Sequence, residues 1–131
     1  MGIFVTDTHP LVWYLEGGIG KLGRHARRVY EQAEAGRSVI LIPTVVMIEL
    51  LYLVEFKGMR LDYEWCITEI ELSDNFDFVP LDIDAMRTVR RAPSHLEQLD
   101  RWIVAAALSR DAPLITKDSS IIDSGAVEVV W

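Results

Sequence analysis

Val39-Ile40-Leu41-Ile42 is a run of strand length with no polar residue in it, and Pro43 ends it. A strand with one wet face alternates apolar and polar side chains. One that does not alternate is buried on both faces, as strands inside a parallel sheet are. Ile3-Phe4-Val5 and Leu114-Ile115-Thr116 have the same character, and Phe76-Asp77-Phe78-Val79 and Val127-Glu128-Val129-Val130 are two further short runs of strand type. Between these runs the apolar spacing changes to three and four residues. Leu22, Ala26, Val29, Tyr30 and Ala33 mark a helix over 22–35, and Leu99, Trp102, Ile103, Ala106 and Ala107 mark another. Further helices are expected over 9–15, from Thr44 to about Glu55 or Lys57, over 62–72 with Trp65, Ile67, Ile70 and Leu72 as contacts, and after Asp82 or Asp84 through Val89. The alternation predicts an α/β fold whose central, largely parallel sheet is covered by helices on both faces.

The 131 residues suit one domain, 1–131, because no repeat, low-complexity tract or Gly/Pro/Ser linker divides them. Half of the residues are apolar, enough for a real core. No segment approaches the roughly 20 apolar residues of a membrane span, and the opening residues lack the basic and long apolar regions of a signal peptide. Cys66 is the only cysteine, which excludes an internal disulfide. A reduced, cytoplasmic setting is the expectation. The net charge of −7 argues against nucleic-acid binding by bulk charge. It leaves room for an enzyme that gathers negative charge at a metal site.

The run Val45–Val54 carries one carboxylate, Glu49, on a helix that is apolar nearly all round. Such a helix is either fully buried or covered by a partner. An ionised acid facing inward from it needs a hydrogen-bonded partner or a cation. Asp7 follows the first strand and Asp118 the Leu114–Thr116 strand, so both belong at the carboxyl edge of the sheet, where α/β proteins bind ligands. Asp100 opens the helix between them. Four converging acids repel one another unless a cation holds them. Ligands that are all oxygen suit Mg²⁺ or Mn²⁺, whereas a lone cysteine and scattered histidines do not make a zinc site. A cation there would activate a water and stabilise charge on a phosphodiester. Each acid also has a simpler role: Asp7 as an N-cap (Thr8 could serve equally), Asp100 as a first-turn acid favoured by the helix dipole, Asp118 as a turn residue or N-cap. With 20 acidic residues in the chain, spacing leaves both readings open.

The local wording adds a resemblance. Asp7-Thr8-His9-Pro10-Leu11-Val12-Trp13-Tyr14-Leu15 resembles the N-terminal motif of PIN-domain nucleases, especially the VapC-type toxins of toxin–antitoxin pairs. Pro43–Leu50 resembles their second motif, His95–Ala107 with its Asp100-Arg101 pair the third, and Leu114–Asp118 the fourth, in family order and across nearly the whole chain. The resemblance implies a PIN-like three-layer α/β/α fold and a Mg²⁺- or Mn²⁺-dependent endoribonuclease. Carried over by position, Asp7, Glu49, Asp100 and Asp118 are the metal-binding and catalytic acids. Thr116 supports Asp118 or a water at the metal, and Thr6 is a weaker candidate of the same kind. It further implies an RNA substrate, a homodimer, and a cognate antitoxin that lays an apolar, basic-tipped segment over the active-site groove. That would account for the excess apolar surface at 45–54.

Two departures stand out. Relatives often carry Asp-Pro-Phe where this chain has Glu97-Gln98-Leu99, and Glu97 is expected to cap the helix. Pro43 replaces a common serine, leaving Thr44 to cap its helix and to provide any hydroxyl there. Arg87, Arg90 and Arg91 share one helix face, either simply solvated or along an RNA path. Arg101 is expected in a salt bridge, and His9, His25 and His95 in structural roles. Two other readings are weaker. A binding module without catalysis would have lost one of the four acids. A phosphoryl-accepting receiver domain needs an acidic pair after the first strand and gives Glu49 no part.

Overall fold

The computed structural model describes residues 2–131. Five strands, β1 Gly2–Thr6, β2 Ser38–Pro43, β3 Phe76–Val79, β4 Leu114–Ile115 and β5 Val129–Val130, form one sheet in the order β3-β2-β1-β4-β5. Every neighbouring pair is parallel. Helices α1 Thr8–Leu15, α2 Arg24–Glu34, α3 Thr44–Phe56, α4 Tyr63–Leu72, α5 Ile83–Thr88, α6 Gln98–Ser109 and α7 Ser119–Ser124 complete a three-layer α/β/α arrangement.

The unalternating strands are buried in large part, although Ile3 is exposed and Phe4, Val39 and Leu41 are only partly buried. Val5, Ile40, Ile42, Leu114 and Ile115 are fully inaccessible, and Leu11, Ala26, Tyr30, Val46, Leu50, Ile103, Val104 and Ile121 pack on them from the helices. Each large apolar side chain so buried contributes on the order of 1.5–3 kcal/mol. The chain enters at the central strand β1, adds β2 and β3 on one side, and then crosses back to lay down β4 and β5 on the other. In open α/β sheets a ligand crevice forms beyond the carboxyl ends of the strands where the winding reverses. Here that place lies between β1 and β4, which pair through Val5 with Leu114 and Thr6 with Ile115.

Several elements depart from the sequence reading. The α2 helix starts at Arg24 because a 3-10 turn, Ile19–Lys21, precedes it. Its far end is closed by Gly36, whose φ of 77° suits glycine. The final strand shortens to Val129–Val130, and α7 was not expected, since its six residues are too few to show a period. In α4 it is Cys66 and Ile70 that are buried, while Trp65 and Leu72 are exposed.

Glu49 does not face the core either. The buried residues of α3 are Val45, Val46, Met47 and Leu50, and Glu49 is half-exposed. The opposite side carries Ile48 at 54 % exposure, Leu51, Tyr52 and Phe56 at 72 %, so α3 is partly uncovered rather than fully buried. Among the described residues no helix is long and apolar enough to cross a membrane.

Candidate active site

Asp7 is placed by the end of β1. Its backbone N–H donates to Ile115 O on β4 at 3.0 Å, which fixes it at the winding reversal. The chain then turns into α1, and Asp7 Oδ1 accepts the Thr8 N–H at 2.7 Å as the N-cap. Its other oxygen, Oδ2, accepts the buried Thr116 hydroxyl at 2.7 Å. Thr116 Oγ1 in turn accepts the Asp118 N–H at 3.0 Å. One hydroxyl therefore ties the ends of β1 and β4 together. Asp118 caps α7, with Oδ1 accepting the Ile121 N–H at 3.0 Å. Both aspartates thus play the capping roles that spacing offered as the simple alternative, and each still lines the cleft described next.

That cleft, of about 340 Å³, is lined by Asp7, Glu49, Asp100 and Asp118, with Glu97, Thr116, His9, Pro10, Trp13 and Lys117. The four acids come from four places: the end of β1, the second turn of α3, the first turn of α6 and the loop after β4. Asp7 is almost completely buried. Burial pushes its carboxyl above the ordinary aspartate range, Glu49 pushes the same way, and the hydrogen bonds from Thr116 and Thr8 work against the rise. Asp100 is half-buried, and no hydrogen bond to its carboxylate occurs among the described residues. Partial burial raises it most, and Asp7, Asp118, Glu97 and Glu49 then add their repulsion, so it titrates at about 7. The cleft is a concentration of negative charge, with Lys117 the one Lys or Arg among its described lining residues.

This donor set suits a hard divalent cation: it is oxygen-only, and its charges repel one another. The carboxylates are not collapsed into a ready-made cage, since no three His, Cys, Asp or Glu among the described residues converge that tightly.

The remaining sequence candidates divide. Glu97 caps α6, its Oε2 accepting from Leu99 N and Asp100 N at 3.2 and 3.5 Å, and it also lines the cleft. Thr6 is not at the acids. Its hydroxyl lies 2.6 Å from the buried Tyr30 hydroxyl and donates to the carbonyl of Asp7, so it holds the backbone there. Thr44 does not cap α3, whose N-cap is Pro43. Its hydroxyl accepts Leu81 N–H at 3.0 Å and lines a separate cleft of about 350 Å³ between α5 and α6. That cleft is marginally larger, but Asp82 there caps α5 and it contains none of the four acids. Arg87, Arg90 and Arg91 are exposed and line neither cleft. A 3-10 turn at 89–91 breaks their common helical face, and Arg87 lies 3.8 Å from Asp84. Arg101 makes no salt bridge among the described residues; its Nε donates to Ala92 O at 3.3 Å. All three histidines are exposed, and His9 lines the acid cleft. His9, Trp13 and Lys117 were missed as cleft residues. The signal was available: His9 and Trp13 sit four apart on the helix that Asp7 caps, and Lys117 adjoins Asp118.

The sequence profile of the PIN domain matches residues 4–125, and the chain belongs to that family, whose members are generally nucleases. Among solved structures, VapBC2 from Rickettsia felis bound to a promoter DNA fragment is similar at 16 % identity and a TM-score of 0.67, covering 97 % of this chain and 96 % of that one. VapBC-5 from Mycobacterium tuberculosis is similar at 22 % identity and a TM-score of 0.58, covering 99 % and 98 %. The PIN domain endonuclease Utp24 is similar at 18 % identity and a TM-score of 0.51, covering 92 % and 74 %. No curated protein sequence matches significantly.

Proposed function

We propose that this chain is a divalent-metal-dependent endoribonuclease and the toxin of a toxin–antitoxin pair, with Asp7, Glu49, Asp100 and Asp118 as its acidic quartet. The observation that carries the reading is the meeting of these acids in one cleft at the winding reversal, with Asp100 raised by burial first and by its acidic neighbours after it. Mg²⁺ or Mn²⁺ bound there would supply positive charge for a phosphodiester and make an attacking water more acidic.

The residues of the chain have distinct tasks. Asp7, almost buried and held at both oxygens, is the fixed point. Thr116 positions Asp7 through its hydroxyl proton and Asp118 through its lone pair. Asp100 and Glu49 are the adjustable walls, half-exposed and on different helices.

The toxin reading rests on the likeness to VapBC complexes. The exposed apolar residues Ile48, Leu51, Tyr52 and Phe56 beside Glu49 support an antitoxin segment, or a second copy of the chain, lying along α3. The test is cleavage of single-stranded RNA by the purified chain in Mg²⁺, Mn²⁺ or EDTA. Cleavage with either metal, lost in EDTA and in Asp118→Asn, is expected. RNA left intact by a folded wild type in both metals would overturn the proposal.

A further inference from the structure

His9 and Trp13 stand one turn apart on α1, with ring centres 6.0 Å apart, and both line the acid cleft. Trp131 meets Trp13 edge-on at 6.0 Å. The Lys117 ammonium lies 4.8 Å from the centre of the Trp13 ring and 5.8 Å from that of Trp131. Together they form an aromatic ledge with one cation on it, along one wall of the cleft. Lys117 is the only Lys or Arg lining that cleft among the described residues.

A chain of net charge −7 has a physical difficulty with an RNA substrate. Counterion release, the usual source of affinity, needs several Lys or Arg on phosphates, and the nearby acids repel the backbone. Base stacking on an aromatic ring does not depend on charge. Trp13 offers such a ring six residues from Asp7, about 9 Å along the helix, close to the reach of one nucleotide unit.

We infer that Trp13 and Lys117 form a nucleotide subsite next to the cleavage centre: the indole stacks the base flanking the scissile phosphate, and Lys117 leaves the ring to pair with a phosphate. This rests on the ribonuclease reading and adds how a single-stranded substrate is held. Lys117 on the ring in the free protein is a place-holder, since an exposed lysine exchanges a weak cation–π contact of about 0.5–1 kcal/mol for a charge pair at little cost. His9 and Trp131 flank the indole and hold its plane.

The experiment measures binding of a fluorescein-labelled single-stranded RNA of ten nucleotides in Ca²⁺, and its cleavage in Mn²⁺ and in Mg²⁺, with melting curves for each variant. Trp13→Leu should weaken binding by about 5- to 150-fold and Trp13→Phe much less. Lys117→Met should reduce the slope of log affinity against log salt by about 0.7. Should Trp13→Leu fail to fold, wild type is tested with an abasic site moved along the RNA; one position should weaken binding as a lost stack does, and no sensitive position overturns the subsite. Unchanged binding by folded Trp13→Leu also overturns it, even if RNA is cleaved. Binding that depends on Trp13 without cleavage in either Mn²⁺ or Mg²⁺ sustains the subsite and sinks the hydrolytic reading. No binding by wild type overturns both.

Discussion

Replacing Asp100 by Asn should stabilise the metal-free protein while destroying its site. Asp100 titrates at about 7 in the folded chain against an ordinary 3.8. Below about pH 4 both folded and unfolded chains hold the proton. Between about pH 4 and 7 the folded chain keeps a proton that the unfolded chain releases, so stability falls as pH rises through this window and stays lower above it. Fully expressed, the difference is at most about 4 kcal/mol. Asp100 is half in contact with water, and screening reduces it to about 1–2 kcal/mol. Asn has the same shape and no charge, and no hydrogen bond to the Asp100 carboxylate has to be given up among the described residues.

Thermal melts in chelator should therefore show Asp100→Asn above wild type by about 4–8 °C at pH 8 and by less than half of that at pH 5. Millimolar Mg²⁺ should then raise wild type and close the gap, because a ligand selective for the folded state stabilises it. A variant that melts at or below wild type at pH 8, or a gap that is equal at pH 5 and 8, would refute the raised Asp100 carboxyl, which burial drives most and the neighbouring acids add to.

Three further outcomes are expected. Thr116→Val should cost about 1–3 kcal/mol in a urea titration, since it leaves the buried Asp7 oxygen and the Asp118 N–H without their shared hydroxyl; it should also slow RNA cleavage. Gly23→Ala should lower the melting temperature, because an added Cβ would come within 2.5–2.7 Å of the Trp131 ring and backbone; a rise in Trp131 accessibility to a fluorescence quencher would mark the displacement. Phe56→Glu, changing a side chain 72 % exposed on α3, should leave the unfolding free energy within about 0.5 kcal/mol of wild type while weakening antitoxin or self-association measured by sedimentation.

The fold was legible wherever burial alone dictates the residue type. Val39–Ile42 and Ile3–Val5 are expected to be buried strands; Val5, Ile40 and Ile42 are fully buried, but Phe4, Val39 and Leu41 are only partly so and Ile3 is 51 % exposed, because one face of the sheet is incompletely covered there. The order of the sheet was not legible, because nothing in β4 or β5 says on which side of β1 they lie. Asp7 and Asp118 were legible as strand-end acids. That both are also helix caps shows that the simple and the functional readings of such a residue need not compete. Glu49 lines the cleft with the other acids, but its apolar neighbours do not make an apolar environment, since Ile48, Leu51 and Tyr52 of the same run are exposed. Thr6 and Thr116 look alike in sequence, each ending a strand, yet only Thr116 reaches the carboxylates. Side chains alternate across a strand, and a single-residue difference in where a strand ends decides which side receives the hydroxyl. The Trp13 ledge could not be seen without the fold, since Trp131 and Lys117 reach it only through the β4–β5 pairing.

The most direct test is a crystal of the chain soaked in Mn²⁺ and measured for anomalous scattering. A peak in the cleft within about 2–2.5 Å of one or two carboxylates among Asp7, Glu49, Asp100 and Asp118, absent from Asp7→Asn crystals, is the predicted result. A map with no anomalous peak between these acids at millimolar Mn²⁺ and pH 8, or an equal peak in Asp7→Asn, would contradict the account.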